Sequence, residues 1–98
     1  MADTRPDIFL PASTPVDIYA ALNAQAGFPA VDVGTQIRFI NKGNHEVYAY
    51  SSVTAPTPNT ERVGIPVLSR MRACNESGDS GAFVTSYIVD GLINVSVV

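Results

Sequence analysis

Seven prolines, at positions 6, 11, 15, 29, 56, 58 and 66, punctuate this chain, and no stretch between or after them carries the apolar spacing of a long amphipathic helix. A proline inside a helix costs about 3 kcal/mol, because it lacks a backbone N–H and its ring meets the preceding turn. Strands accept proline at their ends and on sheet edges. With helices disfavoured, the alternation of apolar and polar residues becomes the main structural signal. The 98 residues, 46% of them apolar, supply one core and not two, so a single domain spanning residues 1–98 is expected.

The alternation marks the strands in turn. Residues 7–11 read as a first short strand with Ile8 and Leu10 on one side and Phe9 on the other; Pro11 ends it and places it at an edge. Residues 1–11 form either this edge strand or a docking arm. Residues 18–26 are alanine-rich and closed by Gly27, so one or two helical turns compete there with a strand through residues 16–19 and a following surface loop. The strand is the favoured reading, because Pro15 starts the run and β-branched residues alternate within it.

Residues 35–41 and 45–51 both alternate and flank Asn41-Lys42-Gly43-Asn44, which predicts a hairpin. Residues 52–60, rich in Ser, Thr, Pro and Asn, read as a loop. Residues 62–72 read as one more strand in which Pro66 forces a bulge or an edge, and residues 75–80 as a loop. The apolar runs 82–89 and 92–98 are joined by Asp90-Gly91, a strong hairpin signal that places the end of the chain inside a sheet. Six or seven short strands at roughly ten-residue spacing indicate an all-β fold, a small antiparallel β-sandwich or barrel.

The chemistry-bearing residues are sparse. Cys74 and His45 are the sole cysteine and histidine, so neither an internal disulfide nor a four-ligand zinc site can form, and no metal or cofactor is expected. Gly78-Asp79-Ser80-Gly81 matches the letters around the nucleophilic serine of chymotrypsin-like proteases. A serine becomes a nucleophile only beside a histidine that a carboxylate orients. The carboxylate between His45 and Ser80 would have to be Glu61, Glu76 or the adjacent Asp79, and the chain is less than half the length of a two-barrel protease. A glycine-flanked turn capped by Asp79 and Ser80 is the simpler reading, and no catalytic residue is assigned. The remaining carboxylates, among them Asp17, Asp32, Glu46 and Asp90, are separated in sequence, so only the fold could bring two together, and no catalytic pair is assigned.

Charge limits the partners. Nine acids against six bases give a net charge of -3 with the bases scattered, which argues against nucleic acid; Arg70-Met71-Arg72 is the one local concentration and reads as a solvated strand edge. No stretch approaches the ~20 apolar residues that span a bilayer, and Met1-Ala2-Asp3-Thr4-Arg5 lacks the apolar run of a secretion signal. The expectation is a chain made and kept in a cytoplasm, or in a particle assembled there, and the sequons at Asn75 and Asn94 are then chance matches. Charged residues make up 15% of the chain, below the ~25% usual for soluble domains, as suits a surface covered by another protein.

The order of four segments resembles that of short virion proteins of tailed bacteriophages. They are Leu10-Pro11-Ala12-Ser13-Thr14 running into Val16-Asp17-Ile18-Tyr19, Val33-Gly34-Thr35-Gln36-Ile37 running into Asn41-Lys42-Gly43, Gly78-Asp79-Ser80-Gly81-Ala82, and Leu92-Ile93-Asn94-Val95-Ser96-Val97. The resemblance spans nearly the whole chain; the alanine-rich insert of residues 20–30 departs from it. It implies a small non-enzymatic β domain of the virion, made in the host bacterial cytoplasm. Such a protein binds in many copies to the assembled particle, as a capsid decoration or a tail or neck accessory. Its expected partners are the major capsid protein or a tail or neck protein, with homo-oligomers common. Arg5, Pro6, Ile8 and Phe9 of the arm, together with Phe28, Tyr48 and Tyr50, are the candidate partner contacts. The competing function is a receptor- or carbohydrate-binding module of a phage tail or fibre that presents Phe28, Tyr48 or Tyr50 to a glycan.

Overall fold

The structure, a computed structural model, describes residues 5–54, 64–87 and 89–98. The order of elements is β1 (Ile8–Leu10), β2 (Val16–Asp17), α1 (Ile18–Asn23), β3 (Ile37–Asn41), β4 (Val47–Tyr50), β5 (Ile65–Val67), β6 (Arg72–Cys74), β7 (Phe83–Thr85) and β8 (Gly91–Val97). The strands pair into two antiparallel sheets, ordered β1-β8-β3-β6 and β2-β7-β4-β5. The fold is thus the expected all-β sandwich, with eight strands among the described residues instead of six or seven. The stretch expected as one strand over residues 62–72 holds β5 and ends where the additional strand β6 begins, at Arg72; residues 62 and 63 lie outside the described residues.

Period-two alternation sets the faces. Ile8, Leu10, Ile37, Phe39, Ile93 and Val95 turn inward from the first sheet and meet Val47, Val67 and Val84 from the second. Fully burying one such side chain contributes about 1.5–3 kcal/mol, so this shared interior holds the sheets face to face. β1 is an edge strand, as Pro11 requires, with Ile8 and Leu10 buried and Phe9 exposed. β5 is also an edge, so Pro66 withholds no N–H from a central ladder.

Both predicted hairpins are corrected. β3 and β4 lie in different sheets, as do β7 and β8; among the described strands, only β4 and β5 are consecutive and in one sheet. Alternation reports that a strand has one buried face, and two strands facing each other across a sandwich satisfy it as well as two strands side by side. The turn residues went to other uses. A type I′ turn needs positive φ at both central residues, and neither Asp90 nor Gly91 has it. The Asp90 carboxylate instead accepts from the Ala12 N–H at 2.9 Å, and Gly91 opens β8 opposite Leu10.

Asn41 ties the other crossing. Its side-chain amide donates to the His45 carbonyl at 2.8 Å and the Val67 carbonyl at 2.9 Å, while its Oδ1 accepts from the Gly43 N–H at 2.9 Å. Its backbone bonds the β5–β6 turn through Met71 and Arg70, both at 2.9 Å. One fully buried asparagine therefore joins the two crossings from β3 to β4 and from β5 to β6.

The strand expected over residues 16–19 is corrected as well: it stops at Asp17 and α1 follows. Asp17 caps the helix, accepting from the Ala20 N–H at 3.2 Å, and Ile18, Tyr19 and Leu22 turn into the core. The apparent β alternation of residues 16–19 gives way because Tyr19 and Leu22, three residues apart, fall on one helical face. The Tyr19 hydroxyl is satisfied inside, donating to the Thr35 carbonyl at 2.6 Å and accepting from Asn75 at 2.8 Å.

Candidate functional site

Between the two sheets, on the side where β5 and β6 end them, lies a mainly apolar cleft of about 280 Å³. Phe39, Ala49, Tyr50, Ile65, Ala73 and Phe83 line it, with Cys74 at its rim. It sits at the end of that side away from the β5–β6 turn, where Asn41 closes the corner. Ile65, Leu68 and Met71 are 70%, 59% and 57% exposed along this same side. Edge strands with uncovered apolar side chains are a natural contact surface for another chain.

The residues singled out from the sequence scatter over the molecule. Arg5 and Ile8 are corrected from partner contacts to structural residues, since they are only 4% and 8% exposed. The Arg5 guanidinium donates to the Pro29 carbonyl at 2.9 Å and the Leu22 carbonyl at 3.4 Å, and lies 5.0 Å from the centre of the Phe28 ring. It thereby adds a second donor to the Leu22 carbonyl, which also accepts from the Gln25 N–H, and carries a positive charge where the helix dipole favours one. Of the two readings of residues 1–11, the described residues 5–11 take the edge strand, with β1 in the body of the sandwich, and residues 1–4 lie outside the described residues. Pro6 is exposed, its carbonyl accepting from Gln25, and Phe9 stands out from β1 at 58% exposure.

Phe28 is half-buried beneath Arg5. Tyr48 packs edge-on against Tyr87 with ring centres 5.4 Å apart. Tyr50 alone of the seven lines the cleft. Sequence reasoning missed the cleft because Phe39, Ile65 and Phe83 each read as ordinary strand residues; only the pairing of the sheets brings them together. The loop expected over residues 52–60, with Pro56 and Pro58, falls largely outside the described residues, as does Glu61.

Lys42 and Asp7 form an ion pair at 2.8 Å, and the Asn94 amide donates to the other Asp7 oxygen at 2.8 Å. Hydrogen bonds from Lys42 and Asn94 hold the Asp7 carboxyl below its ordinary value of 3.8, against a small opposing effect of burial. In the Gly78–Gly81 stretch, Asp79 accepts from the Glu76 N–H at 3.0 Å and from the Ser51 hydroxyl at 3.1 Å, and Ser80 is exposed. His45 is exposed just ahead of β4. Among the described residues, no three His, Cys, Asp or Glu side chains gather where they could hold a metal ion, and no helix is long and apolar enough to cross a membrane. No family model, no curated protein and no solved structure matches this chain.

Proposed function

We propose that the chain is a structural component of a tailed-phage virion that binds in many copies to the assembled particle, as a capsid decoration first and a tail or neck accessory second. The observation that supports a binding role is the uncovered apolar side formed by Ile65, Leu68 and Met71 in a chain with few charges. The assignment to a particle rests on the segment order shared with short virion proteins. The mechanism is mass action: a protein that binds only the assembled lattice stabilises it by RT ln(1 + [L]/Kd), with no bond made or broken. The partner is the major capsid protein or a tail or neck protein, and the bound form is a homo-oligomer matching the local symmetry.

Particles assembled without this protein provide the test. Added back, the purified chain binds them saturably and raises their resistance to heat, and it leaves unassembled capsid subunits unbound. Equal binding to free subunits and particles, or no binding to either, refutes the proposal. The second reading, a glycan-binding module, draws on Tyr50 at the cleft and on the Tyr48–Tyr87 pair. Saturable binding to a sugar on a glycan array, lost in Tyr50→Ala, would favour it.

A further inference from the structure

The six bases sort themselves unequally. Arg5 is buried, Lys42 is paired with Asp7, and Arg62 lies outside the described residues. Arg38, Arg70 and Arg72 remain, and all three belong to β3, β6 and the turn leading into β6. The register sets Arg38 opposite Cys74 and Ile40 opposite Arg72, so Arg38 and Arg72 are diagonal neighbours on the outer face of the first sheet. Glu76 follows two residues after Cys74, and no ion pair joins it to either arginine among the described residues.

β6 is the last strand of its sheet. The Asn41 N–H bonds the Met71 carbonyl and the Asn75 N–H bonds the Ile37 carbonyl, which fixes the phase of the β3–β6 ladder. In an antiparallel ladder of that phase, Ala73 bonds inward to Phe39, and the N–H and C=O groups of Arg72 and Cys74 face away from the sheet. Among the described residues, the edge thus offers unpaired backbone groups flanked by unpaired positive charge.

We infer that this edge accepts an extended segment of an acidic protein partner, in which acidic and apolar side chains alternate. A strand added antiparallel to β6 sets its residues opposite Arg72 and Cys74 on the outer face, where carboxylates meet Arg72 and Arg38. Its residue opposite Ala73 points inward, to the mouth of the apolar cleft lined by Phe39, Ala73 and Ile65. Charge on one face and a cleft on the other thus select the same alternating pattern. Pairing of β6 with β6 of a second copy is opposed, since it brings Arg72 side chains together. The inference needs only the open edge, and it stands or falls separately from the virion reading.

The test is a titration of the folded protein, followed by amide NMR, with the capped peptide Thr-Glu-Val-Glu-Val-Glu-Thr. Lysine replaces glutamate in one control peptide and serine replaces valine in another. The expected result is saturable binding with shifts centred on the Arg72 and Cys74 amides, and weaker binding of both controls. The double variant Arg38→Ser/Arg72→Ser keeps its thermal stability and binds about tenfold more weakly, as two exposed ion pairs allow. Arg38→Glu/Arg72→Glu exchanges the preference toward the lysine peptide. No binding at millimolar peptide, equal binding of the glutamate and lysine peptides, or shifts centred elsewhere overturns the inference. Tighter binding of a short oligonucleotide at the same amides also overturns it, in favour of phosphate recognition.

Discussion

Replacing Asn41 with alanine removes three side-chain hydrogen bonds from the corner where two crossings between the sheets meet. The bond to the Val67 carbonyl is buried, and its loss leaves an acceptor with no water to turn to, a cost of about 1.5 kcal/mol. The bonds to the His45 carbonyl and the Gly43 N–H are partly open, so their loss costs about 0.5–1 kcal/mol each. The sum is about 3 kcal/mol. That is a large share of the roughly 5–15 kcal/mol that holds a domain together, and for a chain of this size it lowers Tm by on the order of 15 °C. Urea unfolding of Asn41→Ala should therefore show a much lower midpoint at an unchanged slope. Asn41→Asp keeps an acceptor for Gly43 but loses both donors and buries a carboxylate, so it should be at least as damaging. A loss below about 1 kcal/mol in Asn41→Ala would refute the view that this residue ties the crossings together.

Three further changes probe other parts of the fold. The folded state holds Asp7 below its unfolded value of 3.8, so its contribution is present at neutral pH and is lost as acid drives pH down through the folded value. The stability gap between wild type and Asp7→Asn should therefore close on acidification, and a gap independent of pH would exclude the Lys42 and Asn94 bonds as its source. Arg70 carries φ of 69° in the β5–β6 turn, so Arg70→Gly should stabilise by about 0.5 kcal/mol once the entropy of glycine is counted, as measured by chemical unfolding. A Cβ on Gly81 would be forced against the Ser52 carbonyl, and Gly81→Ala should cost more than about 1 kcal/mol, again read from the unfolding midpoint.

Strand positions were legible in the sequence, and their partners were not. Phe9 outward between Ile8 and Leu10, and Pro66 on an edge, follow from local rules of alternation and proline placement. Pairing is a global property. Asp90-Gly91 and Asn41-Lys42-Gly43-Asn44 carry turn chemistry that suits a hairpin, yet Asp90 binds Ala12, and Asn41 binds His45, Val67 and Gly43. The long-range bonds, Asp90 to Ala12 and Asn41 to Val67, override the local preference. The helix was the harder case, since Pro15 and the β-branched Val16 and Ile18 argue for a strand, while the capping by Asp17 that starts α1 is a single weak signal. The cleft was hidden for the same reason as the pairing, because its lining comes from strands of both sheets.

The central claim, that this sandwich works as a repeated binding element on a phage particle, is tested most directly by quantitative mass spectrometry of purified virions. Decoration predicts on the order of hundreds of copies per particle, in proportion to the capsid lattice, and a tail or neck role predicts a single symmetric ring. Absence of the chain from intact virions would contradict the account.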